Sequence, residues 1–95
     1  MINKDLEKHL NEYLNVAKFS DYCPNGLQIE GRTDLHKIIA GVSANQDLIE
    51  YAIDEQADAL LVHHGFFWKN ENPAITGIKR NRIKALLDNN INLFA

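Results

Sequence analysis

Two adjacent imidazoles, His63 and His64, are the side chains best suited to chemistry in this chain. They follow the apolar run Ala59-Leu60-Leu61-Val62 and precede Gly65 and the aromatic triplet Phe66-Phe67-Trp68. A short apolar run bounded in this way reads as a buried strand. Sheets of α/β proteins bind their ligands beyond the carboxyl ends of their strands, and imidazole is the commonest metal ligand. Successive side chains on a strand leave opposite faces, and Gly65 offers the strand end conformations that other residues resist. The two rings are therefore expected to diverge over the sheet edge, an arrangement better suited to two ions than to one. Ions about 3.5–4 Å apart are the usual means of activating water. The plainer reading makes one histidine a core residue and the other a surface residue, and spacing alone does not separate the two. Two ligands do not close a site, so partners must come from elsewhere.

The remaining candidates are less specific. His9 falls in a helix of mixed charge and His36 precedes a strand at its far end, so both read as solvated side chains. Cys23 has no second cysteine for company and reads as a half-buried thiol. Phe67 or Trp68 could stack on a planar base, although aromatic residues after a strand more often fill the space beneath a loop or an interface. Asn25 could approach the site from its own loop. Lys79, Arg80, Arg82 and Lys84 could meet phosphate, but the acidic overall balance favours a solvated helix face. Asp58 lies at the wrong end of its strand for a ligand and is expected to cap or solvate a turn. Neither a glycine-rich phosphate loop nor a readable Ser-His-Asp arrangement is present.

These side chains need elements to position them. Leu6, Leu10, Tyr13 and Leu14 recur at helical spacing, with Asn3 as the expected cap. Asp21 to Gly26 is turn-rich, and Leu27 to Gly31 alternates like a short edge strand. Ile38 to Val42 reads as a buried strand. Ser43-Ala44-Asn45 then opens a helix whose apolar face is Leu48, Ile49, Ala52 and Ile53, with Asp47 and Glu50 near its positive end. After the strand carrying the histidines, Pro73 leads into a helix with apolar positions Ile75, Ile78, Ile83, Leu86 and Leu87, and a last strand begins at Ile91. The order β-α-β-α-β with short links predicts an α/β fold: a mostly parallel sheet with flanking helices and right-handed crossovers.

Size and charge set the frame. The 95 residues suit one α/β domain. With 45% hydrophobic and 24% charged residues, the composition is that of an ordinary soluble domain. A net charge of −3 argues against general nucleic-acid binding. No apolar stretch approaches the ~20 residues of a membrane span, and the amino terminus lacks the apolar core of a signal peptide. A single cysteine fits a reducing compartment. The expected location is cytoplasmic.

Two segments carry a family resemblance: Asp21-Tyr22-Cys23-Pro24-Asn25-Gly26-Leu27-Gln28-Ile29-Glu30-Gly31, and Leu60-Leu61-Val62-His63-His64-Gly65-Phe66-Phe67-Trp68-Lys69. Together they resemble the Nif-three-like family, also called GTP cyclohydrolase I type 2 homologues or dinuclear metal center proteins, and in particular its bacterial YbgI-type members. The likeness continues from Lys79-Arg80-Asn81-Arg82 to Ile91-Asn92-Leu93 and is collinear over essentially the whole chain. It implies the amino-terminal portion of a Nif-three-like fold, a homohexameric ring, and two divalent metal ions facing its interior, with Fe, Mn, Zn, Ni or Mg all compatible. By the family pattern His63 and His64 are both metal ligands. The family's other ligands are an Asp shortly after the strand that begins at Ile91 and a His and a Glu near the carboxyl terminus of a longer protein. The chain is accordingly expected to be an amino-terminal fragment. The implied activity is metal-dependent hydrolysis of a nucleotide-like substrate, with Asn25, Phe67 and Trp68 in its vicinity. The alternative is a non-enzymatic metal-binding ring that engages protein partners.

Overall fold

Hydrophobic alternation decides how each strand is used. In the computed structural model, which describes residues 1–14, 26–67 and 71–95, the central strand β3 (Ala59–His64) sends Leu60 and Val62 to one face and Ala59 and Leu61 to the other. Each set has its own cover. Leu60 and Val62 join Ile49 and Ala52 of α2 (Gln46–Asp54) and Ile83 and Leu86 of α3 (Gly77–Asp88) in the larger core. Ala59 and Leu61 meet Leu6 and Leu10 of α1 (Asn3–Tyr13), together with Leu35 and Phe94. The result is a sheet between two helical layers, the arrangement expected of a β-α-β-α-β chain.

Among the described residues the sheet has four strands in the order β1-β4-β3-β2. Here β1 is Leu27–Ile29, β2 is Ile38–Ser43 and β4 is Asn92–Phe94. β2 and β4 flank β3 in parallel, with Ala40 opposite Leu61 and Leu61 opposite Phe94. β1 runs antiparallel along the outer edge of β4. The mostly parallel sheet and the edge position of β1 are as the sequence implies.

Four details differ from the sequence reading. Asn3 is not the cap of α1; Ile2 holds that position, and Asn3 is a fully buried first-turn residue whose Nδ2 donates to Asn92 Oδ1 at 3.1 Å. β2 is not a buried strand. It is the other edge of the sheet, and Ile38, Ala40 and Val42 are exposed, because the cluster under α1 includes no β2 residue. α3 begins at Gly77, and its apolar pattern is only half used: Ile83 and Leu86 are buried, whereas Ile75, Ile78 and Leu87 are exposed. Tyr13 and Leu14, placed on the apolar face of α1 by spacing, are likewise exposed.

Asn92 holds the amino-terminal ends of the strands together. It is fully buried, accepts from Asn3 Nδ2 and Gly31 N, and donates to the carbonyls of Arg32 and Asp58 at 2.8 and 3.0 Å. All the hydrogen-bonding capacity of its amide nitrogen is used, as a buried carboxamide requires. Asp58 caps the turn before β2: its Oδ2 accepts from the amides of His36 and Lys37 at 2.7 and 3.0 Å, and Oδ1 pairs with Arg32 at 3.0 Å. Burial alone would raise its pKa. The two amides, Arg32 and His36 outweigh that and hold the carboxyl below its ordinary 3.8.

Candidate metal and ligand site at the carboxyl end of β3

β3 runs one residue pair past its apolar core, so that its last two positions are the histidines. His64 still pairs with Ser43, and its carbonyl accepts from Ala44 N at 2.9 Å, so the backbone is fixed up to that point. β4 pairs with β3 only as far as Leu61 and Phe94. Both rings therefore lie beyond the last rung that β4 supports. They do not diverge as expected. Their centroids are 4.2 Å apart and the planes meet edge-on at 62°. His63 is exposed and His64 half-buried. Rings so close can offer nitrogens to one ion or to a pair about 3.5–4 Å apart. They fit as two members of a larger ligand set. Among the described residues, no group of three His, Cys, Asp or Glu is arranged to hold a metal ion.

The loop after the histidines is fastened by β1. The Gln28 carboxamide accepts from Phe66 N at 2.7 Å and donates to Phe66 O at 3.0 Å. Here Gln28 of β1 meets the Gly65-Phe66 turn that follows the histidines. Gly65 is required for a reason other than the one its sequence suggests. Its backbone is not left-handed; a Cβ there would stand 2.4 Å from Gln28 Oε1 and 2.8 Å from the Ala95 Cβ. The left-handed residue is Phe67, at φ +63°, a conformation that costs a non-glycine residue about 1 kcal/mol or more. Phe67 N donates to Glu71 Oε1 at 3.1 Å, and Lys79 Nζ stands 4.9 Å from the centroid of its ring.

The aromatic residues divide accordingly. Phe66 is buried and belongs to the core. Phe67 is half-buried beneath Lys79, near the histidines but with a cation already against its ring. Asn25, Trp68 and Cys23 lie outside the described residues. His36 precedes β2 at the end of the sheet where Ile38 pairs with Ala59, opposite the histidine pair, and His9 stacks on Tyr13 on the exposed side of α1.

The basic cluster also divides, and here the sequence reading fails in part. Arg80 and Lys84 are solvated, Lys84 paired with Asp88. Lys79 and Arg82 are half-buried and, with His64, Asn45 and Glu71, line a cleft of about 500 Å³. Net charge could not reveal this, because it averages over the whole surface.

The fold and this site define an α/β domain that presents paired imidazoles at the carboxyl end of a parallel strand. The chain belongs to the Duf34/NIF3 (NGG1p interacting factor 3) family, whose model matches residues 1–95. It is 61% identical over 90 residues to a GTP cyclohydrolase 1 type 2 homolog of Pasteurella multocida, covering 95% of this chain and 36% of that protein. It is 55% identical over 94 residues to the homolog of the same name from Escherichia coli K12, covering 99% of this chain and 38% of that protein. Among solved structures, protein ybgI, described as of unknown function, superimposes with a TM-score of 0.97 at 55% identity, over all of this chain and 38% of its own. A protein from Thermus thermophilus matches with a TM-score of 0.93 at 38% identity, over 100% of this chain and 39% of its own. The chain thus spans little more than a third of the length of these relatives. In the described residues no helix is long and apolar enough to cross a membrane.

Proposed function

We propose that this chain supplies His63 and His64 to a dinuclear metal site, and that the protein is a metal-dependent hydrolase of a nucleotide-like substrate. The observation that carries the reading is the 4.2 Å approach of the two rings at the exposed end of β3. The name of the Pasteurella relative, a GTP cyclohydrolase 1 type 2 homolog, is consistent with a nucleotide as substrate. Divalent ions, when bound, supply an acidified water and polarise the bond to be cleaved. The chain's own residues do the rest. The pairing of His64 with Ser43 fixes the strand end, and the Gln28 clamp on Phe66 fixes the loop that leaves it. Ligands held on rigid elements in this way lose little entropy on binding. Replacing both histidines by alanine should abolish bound metal and nucleotide hydrolysis together. Turnover that survives the loss of metal rules out the metal-dependent reading.

One observation favours a second reading, a metal-ordered ring that engages protein partners: Ile38 and Val42 are 43% and 69% exposed on the edge strand β2, a surface suited to contact with another chain. Size-exclusion chromatography before and after chelation separates the two. A ring that persists while activity is lost favours catalysis, and a ring that dissociates favours the scaffold.

A further inference from the structure

The cleft beside His64 is lined by Arg82, a half-buried cation on α3. Arg82 Nε is buried and has no hydrogen-bond partner among the described residues. A guanidinium stays charged at every working pH, and a buried donor without a partner carries a desolvation cost that calls for an explanation. Lys79 lines the same cleft. Its charge is met by Glu71 at 2.7 Å, and its Nζ also donates to the Asn72 carbonyl at 3.3 Å. Across the cleft stands the amino terminus of α2, where Asn45 caps the helix by accepting from Leu48 N at 2.9 Å. That end of a helix attracts anions. Asp47 already occupies the first turn of α2 but does not line the cleft.

A second irregularity points the same way. The first turn of α3 contains no acid and instead carries Lys79 and Arg80, cations at the end of a helix dipole that disfavours them. Local choices that oppose the stability of their own element are expected at functional sites. With Lys79 matched by Glu71, Arg82 is, among the described residues lining the cleft, the cation with a buried donor still to be met.

We infer that this cleft binds the phosphate group of a small-molecule substrate, with Arg82 as its principal donor. The inference rests on the proposed nucleotide-like substrate and adds where its phosphate is held: between Arg82 and the α2 amino terminus, beside His64. A planar guanidinium gives paired hydrogen bonds to phosphate oxygens, and about 500 Å³ lies in the range of small-ligand sites.

The test is a titration with inorganic phosphate at constant ionic strength in the presence of chelator, read from the Arg82 Nε–H resonance and the backbone amides of residues 43–46. A saturable shift of Arg82 is expected. Arg82→Gln should weaken phosphate binding at least tenfold, Arg82→Lys should weaken it less, and Arg80→Gln, on the solvated face, should leave it unchanged. Arg82→Lys keeps the test open if the glutamine variant does not fold. Equal weakening by Arg80→Gln and Arg82→Gln reveals diffuse charge screening and overturns the inference. So does phosphate binding that vanishes on chelation, because the anion would then be held by metal. A separate Mn²⁺ titration distinguishes the two proposals: phosphate binding without metal binding overturns the metal reading alone, and metal binding without phosphate binding overturns this one alone.

Discussion

Gln28 grips Phe66 through both halves of its carboxamide, accepting the Phe66 N–H at 2.7 Å and donating to the Phe66 carbonyl at 3.0 Å. A side chain from the antiparallel edge strand thereby acts as an extra rung of sheet, three residues beyond the first histidine of the pair. It ties two sequence segments 38 residues apart at the point where the loop leaves β3.

Gln28→Ala removes both bonds and leaves the Phe66 amide without this acceptor. The expected loss is about 1–3 kcal/mol, or roughly 4–8 °C in Tm for each kcal/mol in a domain of this size. Amide exchange at Phe66 should accelerate more than exchange at Leu60, in the middle of β3. Uniform acceleration would show that Gln28 acts on global stability and not on the loop.

Gly65→Ala forces a methyl group to within 2.4 Å of Gln28 Oε1 and 2.8 Å of the Ala95 Cβ. Overpacking of this kind costs about 1–3 kcal/mol. Because one of the two collisions is with Gln28, the double variant Gln28→Ala/Gly65→Ala should be more stable than the sum of the single losses predicts. A denaturant double-mutant cycle reads the coupling directly, and strict additivity would contradict the close approach.

Asp58 should make stability fall in acid. Its folded pKa is depressed, so the stability it contributes is complete above its ordinary value of 3.8 and is lost as pH drops through the lower folded value. Asp58→Asn should lower stability at neutral pH by about 1–3 kcal/mol and flatten the acid limb of the curve. Melting temperatures between pH 7 and about 2.5, spanning the usual carboxylate range, give both quantities; an unchanged acid limb in Asp58→Asn would assign it to other carboxylates.

Asn92→Ala should be among the most damaging substitutions in the chain. It strips Asn3 Nδ2 and Gly31 N of their acceptor and frees the Arg32 and Asp58 carbonyls from a donor, all beneath a fully buried side chain. A loss above about 3 kcal/mol is expected. Asn92→Asp keeps the acceptor and adds an unpaired buried charge, so it should be no better. Urea denaturation of both variants checks the order.

Much of this architecture is legible because periodicity records burial directly. Leu48, Ile49, Ala52 and Ile53 mark the packed face of α2, and Asn45 marks its start, because a capping side chain acts within three residues of its own position. At β2 the sequence misleads for a physical reason. Ile38-Ile39-Ala40-Gly41-Val42 has the composition of a buried strand, but whether both faces are covered depends on how far α1 extends across the sheet, which no local pattern encodes.

The sequence by itself determined that an imidazole pair ends a parallel strand, because an apolar run followed by His-His-Gly admits few other readings. It also determined the family, through motifs spread over the whole chain. Tertiary structure alone decided three things. It brought the two rings within 4.2 Å of each other, beyond the last residue pair that β4 makes with β3. It made Gly65 necessary through the approach of Gln28 and not through its own dihedrals. And it divided one basic run into a solvated pair, Arg80 and Lys84, and a pair facing His64, Lys79 and Arg82. A charge count cannot make that division, because it depends on which side of α3 meets the ends of β2 and β3.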